Sequence, residues 1–178
     1  MHKLLAGFLG FLLVSCAASG PQTYRLPWAE VTLPEGWVEG VSPFPKSFVA
    51  VRDDGDPFEL FTITSARNPS PGISMSREKW SGMFARISSR MADKMAGKEQ
   101  ISNVKRVKRW TEWTQPYPRY HERLTFDATF NGQSVKASVS CCMIFTDQMV
   151  YTVALRENQA AQAADPGRFA RLMGGFRD

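Results

Sequence analysis

The chain has 178 residues, 43% hydrophobic, 12% aromatic and 22% charged, a balance that fits one folded domain and excludes a disordered or repeat-built protein. Its net charge of +5 rests on 22 basic and 17 acidic side chains. No basic motif or low-complexity run concentrates that charge.

Residues 1–15 carry a positive charge at Lys3 and an apolar run over 4–14. That is about eleven residues, the length of a signal-peptide core and well short of the roughly 20 needed to span a bilayer. The run ends in Leu13-Val14-Ser15-Cys16, which resembles the lipobox of bacterial lipoproteins. The resemblance implies cleavage of a lipoprotein signal peptide (1–15) and acylation of Cys16, so that a lipid anchor at Cys16 makes the membrane a partner. Each buried methylene is worth about 0.8 kcal/mol, and two or more chains anchor stably. Ala17 stands where the family's inner-membrane retention signal would be Asp. The implied location is therefore the periplasmic face of the outer membrane. Loss of Lys3 leaves 21 basic against 17 acidic residues, a mature charge of +4. Such an excess suits anionic headgroups or cell-wall polymers, and nucleic acid is not an expected partner. Residues 16–24, with Gly20 and Pro21, read as the lipidated Cys and a flexible tether, and 25–178 as a single domain.

Within that domain, 30–33 carries a strand signal ended by Pro34-Glu35-Gly36, and Trp37 opens the next segment. Residues 47–52 and 58–66 are β-rich runs separated by Asp53-Asp54-Gly55-Asp56-Pro57. That cluster lacks EF-hand spacing and reads as a turn. A helix follows, with Ser76 as N-cap, Glu78 in its first turn and Gly97 as its stop. Trp80, Phe84, Ile87, Met91 and Met95 recur at helical spacing and form its apolar stripe. Residues 101–113 read as a strand in which alternation sends Lys105 and Arg109 to one side and Arg106 and Lys108 to the other. Its charges suit a solvated edge strand. The segment 113–121 mixes Pro116, Tyr117, Pro118 and Tyr120 and reads as a loop.

Asn131-Gly132 is a strong hairpin turn. A two-residue loop pairs Phe130 with Gln133, Ala128 with Val135, Phe126 with Ala137 and Leu124 with Val139, giving one apolar face. The polar face then pairs Thr129 with Ser134, Asp127 with Lys136 and Thr125 with Ser138. The next turn allows two registers. A two-residue loop at 147–148 pairs Phe145 with Val150 and Met143 with Thr152. A three-residue loop at 146–148 pairs Phe145 with Met149, Met143 with Tyr151 and Cys141 with Val153. The second keeps one face apolar throughout and is the preferred expectation; it puts Cys141 in the core and Cys142 on the other face. Asp165 reads as an N-cap with Pro166 at N1, before a terminal helix with stripe Phe169, Leu172, Met173 and Phe176.

Little in the sequence carries catalytic chemistry. Adjacent Cys141 and Cys142 are too close for an ordinary disulfide and read as apolar fillers. Without a CxxC pair, and with His121 the one histidine beyond the signal, no zinc site is expected. Ser138 and Ser140 lack a nucleophile elbow. The expectation is no catalytic residue, no metal and no cofactor, in a protein that is not an enzyme.

The fold class expected is α+β, an antiparallel meander sheet covered by a long amphipathic helix and a C-terminal helix. Leu33-Pro34-Glu35-Gly36-Trp37, then Tyr151-Thr152-Val153-Ala154-Leu155 leading to Asp165-Pro166 and Phe176, resemble the PsbP/Mog-type α/β/α sandwich. Within that group the chain is most similar to DcrB-like bacterial envelope lipoproteins. The resemblance implies a mostly non-catalytic family of photosystem assembly and extrinsic subunits, a Ran-binding protein and type VI secretion chaperones. None of its functional residues carries over, since the matched positions are packing positions. The expected function is a membrane-anchored periplasmic binding or assembly factor with a protein partner in the envelope. Candidate contacts are Trp110, Trp113, Tyr117 and Tyr120, all of which also suit a core. Alternatives are a secretion-associated immunity or chaperone-like protein, and a hydrolase using His121.

Overall fold

The computed structural model describes residues 20–178 apart from 43, 44, 57, 70, 73, 74, 115 and 131. The signal peptide, Cys16, residues 17–19 of the tether and Asn131 of the first hairpin turn lie outside the described residues.

Two antiparallel sheets organise the chain. The smaller joins β1 (Gln22–Leu26), β2 (Ala29–Leu33) and β10 (Phe176–Arg177), with β2 in the centre. The larger contains β3 (Trp37–Glu39), β4 (Ser47–Arg52), β5 (Leu60–Arg67), β6 (Ile101–Glu112), β7 (Arg119–Phe130), β8 (Gln133–Phe145) and β9 (Met149–Asn158), in the order β3-β4-β5-β9-β8-β7-β6. Three helices complete it: α1 (Arg77–Ala96), α2 (Gln159–Ala164) and α3 (Arg168–Gly174).

Strand alternation sends the large sheet's side chains to two covered faces. Along β9, Tyr151, Val153, Leu155 and Glu157 are buried on one side while Thr152, Ala154 and Arg156 take the other. The first side packs with Phe48, Phe61 and Ile63 against Val31 and Leu33 of the small sheet and Leu172 of α3, forming the main core. Each such apolar side chain contributes about 1.5–3 kcal/mol on burial. The opposite side is covered by α1, where Trp80 and Phe84 meet Tyr120 and Phe145. The layers are thus α1, the large sheet, then the small sheet with α3. Among the described residues no helix is long and apolar enough to cross a membrane.

The first turn of α1 forms as the sequence dictates. Ser76 is extended (φ −63, ψ 156), and its side chain accepts the Lys79 N–H at 3.3 Å. Gly97 ends the helix with right-handed φ −78, so its freedom for positive φ is not what stops the helix. The β7–β8 hairpin has the expected register throughout, from Phe130 with Gln133 to Leu124 with Val139, and Gly132 takes φ +78.

Several expectations are corrected. Gln22, Thr23 and Tyr24 do not continue the tether: they are strand β1, paired to Leu33, Thr32 and Val31. The second hairpin uses the two-residue connection, with Phe145 opposite Val150 and Met143 opposite Thr152. The Thr146 N–H donates to the Met149 carbonyl at 2.8 Å, and the Met149 N–H donates to Thr146 Oγ1 at 3.0 Å. Both faces of β8 are covered, so keeping one face apolar is not what fixes the register. Cys142, not Cys141, consequently lies opposite Val153 in the main core, and both thiols are buried. Asp165 does not cap the last helix, whose N-cap is Gly167 and which has no side-chain cap; it ends α2 and binds Arg168 and Arg171. Phe176 leaves the helix and pairs with Val31 in β10.

Candidate functional site

The strand β6 is a free edge of the large sheet. Its ladder to β7 slips twice, once around Asn103, whose φ is +53, and once at Val107. A bulge reverses alternation beyond it. Arg106 and Arg109 therefore share the α1 side, opposite Leu124 and Glu122, while Lys105, Lys108 and Trp110 share the other side, opposite Thr125, Arg123 and His121. Simple alternation across 105–109 is overturned by the one extra residue, Val107.

The bulge brings Arg106 to a buried acid. Glu122 Oε1 accepts from Arg106 Nε at 2.7 Å and from Ser88 Oγ at 2.6 Å; Oε2 accepts from the Tyr120 hydroxyl at 3.1 Å. A carboxylate this buried is held by such donors. Nothing in local sequence marks this cluster, because Ser88 interrupts the apolar stripe of α1 at the turn that crosses Glu122. Above Phe84 and Tyr120 a cavity of about 250 Å³ opens between α1 and β6, lined also by Ser81, Arg109 and Thr111.

The four candidate aromatics part company. Tyr120 is core: it stacks on Phe84 at 4.8 Å between centroids and is 2% exposed. Burial raises its hydroxyl pKa. Tyr117 is half-buried; its ring meets Trp80 edge-on at 6.3 Å and its hydroxyl donates to Asp147, a bond that raises its own pKa. Trp110 and Trp113 remain exposed, at 38% and 39%. Trp110 lies parallel to His121 at 4.6 Å with Lys108 Nζ 4.9 Å from its ring, and Arg77 sits 5.1 Å from the ring of Trp113. Among the described residues the well-exposed large apolar side chains are Val41, Val107, Trp110 and Trp113, and the last three follow the β6 edge. Ten basic and four acidic residues fall between Arg77 and Glu112, so this stretch carries a net charge of +6 against +5 for the whole chain.

No family model matches the sequence, and no curated protein does. Among solved structures, cyanobacterial PsbP (CyanoP) from Synechocystis sp. PCC 6803 superposes with a TM-score of 0.60 at 13% identity, over 93% of this chain and 98% of that one. The chain has a PsbP-like fold. Two further structures superpose more loosely. LpqN, involved in cell envelope biogenesis of Mycobacterium tuberculosis, gives 0.47 at 10% identity over 90% of this chain and 86% of its own. A Pseudomonas aeruginosa protein of unknown function gives 0.39 at 16%, over 87% and 94%.

In this PsbP-like fold the β7–β8 register also makes a contact unseen in the sequence. Cys142 Sγ lies 3.7 Å from His121 Nε2, and the same nitrogen is 3.3 Å from Glu112 Oε1. A nucleophilic thiol needs a depressed pKa and access. Burial pushes the Cys142 thiol up to about 12 and also lowers the His121 pKa, against the pull of Glu112. Among the described residues no three His, Cys, Asp or Glu side chains cluster as metal ligands.

At the other end of the main core, Glu59 and Glu157 converge on Arg168: Glu59 by a direct hydrogen bond, Glu157 Oε2 at 3.6 Å. Burial raises the Glu157 pKa to about 7, with Arg168 opposing. Ser138, directly opposite Glu157, is buried with no partner for its hydroxyl. This cluster fastens α3 to β9.

Proposed function

We propose that this chain is a lipid-anchored periplasmic lipoprotein that acts without catalysis as a binding or assembly factor of the bacterial cell envelope, on the outer membrane. The lipobox-like Leu13-Val14-Ser15-Cys16 and the likeness to DcrB-like envelope lipoproteins support the location. The observation that carries the binding role is the free edge of β6, where Val107, Trp110 and Trp113 stand exposed among cations. Exposed aromatics beside arginines anchor protein interfaces, and an unpaired edge offers backbone donors and acceptors to a partner strand. The short stretch from Cys16 to Gln22 keeps the domain within about 25 Å of its anchor at ~3.3–3.6 Å per residue. The test is in-cell crosslinking and recovery of the full-length protein, alongside Cys16→Ala and a Trp110→Ala/Trp113→Ala variant. A defined envelope partner lost in both variants supports the reading; recovery unaffected by the tryptophan changes removes β6 as the contact.

A further inference from the structure

The far end of α1 does not close over the sheet. Its buried residues are Trp80, Phe84 and Ser88, none in its last two turns, while Met91 and Met95 are half-buried. Beneath Met95 lies a hollow of about 310 Å³, floored by Phe126, Ala137 and Val139 and walled by Phe58 and Ile101. That volume is at the lower end of small-molecule sites, which run about 300–1,000 Å³. Its described lining is mostly apolar, holds two cations, Lys98 and Arg156, and holds no acid.

Arg156 is the unusual member. It sits in β9 between Leu60 and Val139, with Nε donating to the Phe58 carbonyl at 3.4 Å. Burial lowers its pKa, opposed by Asp56, yet a guanidinium stays charged in a protein. A cation held among apolar side chains, with a second at the same hollow, selects a ligand that is apolar along its length and anionic at one end.

We propose that this hollow binds a single-chain anionic amphiphile, its acyl tail on Phe126, Ala137 and Val139 and its carboxylate or phosphate head paired with Arg156 and Lys98. This site touches β6 only at its first residue, Ile101, away from Val107, Trp110 and Trp113, and stands or falls independently of the partner-binding role.

The experiment uses the full Cys16→Ala chain, labelled at methionine and isoleucine methyls, titrated by NMR with decanoate, decyl phosphate and decanol. Saturable shifts at Met95 and Ile101, with at least one acid binding tenfold or more tighter than decanol, are expected, and the tighter acid identifies the head group. Arg156→Gln and Lys98→Gln should each weaken the acid threefold or more and leave decanol unchanged. Should Arg156→Gln not fold, Lys98→Gln, at an exposed position, decides alone. Equal binding of acid and alcohol, shifts centred on Met83 instead, or no saturation below millimolar concentration would overturn the proposal.

Discussion

Replacing Glu122 with Ala is the sharpest probe of how the bulged edge strand is held. The substitution removes the carboxylate to which two buried donors, Ser88 Oγ and the Tyr120 hydroxyl, are bonded; they can pair with each other, which leaves one donor unmet. Each orphaned donor costs about 1–3 kcal/mol. Arg106, whose side chain is 35% exposed, can turn to water and adds little. The expected loss is about 3 kcal/mol, or roughly 6–12 °C in Tm for a domain of this size. Thermal and urea unfolding monitored by circular dichroism measure it. A double-mutant cycle separates this account from simple loss of volume. Ser88→Ala alone should cost about 1 kcal/mol, because Glu122 loses a donor, but should cost little in the Glu122→Ala background, where one donor is unmet with or without the serine. Additive effects of the two changes would refute the reasoning.

Further outcomes follow from single contacts. A Cβ on Gly175 would lie 2.0 Å from the Thr32 carbonyl oxygen, whereas one on Gly174 meets nothing within 4 Å. Gly175→Ala should therefore destabilise by about 2–3 kcal/mol and Gly174→Ala hardly at all, measured by urea midpoint. Burial raises the Glu157 carboxyl to about 7 in the fold, against 4.5 for a free glutamate. Its contribution is fully present below about pH 4.5 and is lost as pH rises through 7. Glu157→Gln should accordingly be more stable than the parent at pH 8, on the order of 2–3 kcal/mol, and show a flatter stability profile between pH 5 and 8. Burial pushes the Cys141 thiol, like that of Cys142, up to about 12. At pH 8 iodoacetamide should label neither in the native protein and both in urea, as read by mass spectrometry; native labelling would show that β8 opens.

How much of this was legible in the sequence depended on whether the deciding physics was local. The β7–β8 hairpin was, because Asn131-Gly132 fixes the turn and the alternating pattern agrees with it. The start of α1 was, through Ser76. The β8–β9 register was not: the rule of one apolar face fails where α1 covers one side of β8 and α3 with the small sheet covers the other. Trp110 and Trp113 were marked in advance, but their separation from Tyr120 depends on the Val107 bulge, which no residue type announces. Glu122 and Arg156 were invisible as site residues, since each is defined by what lies across a sheet or under a helix.

The pairing of β10 with β2 sets the order in which the molecule can be completed. Val31 is joined to Phe176, and the Thr32 N–H donates to the Gly175 carbonyl at 2.7 Å. Contacts so distant along the chain form late, after the loop between them is closed. Until residue 176 exists, β2 has a bare edge and Leu172 is not yet present to fill the main core. On the proposed export route that delay is an advantage, because the chain stays short of its final packing until nearly all of it has been made.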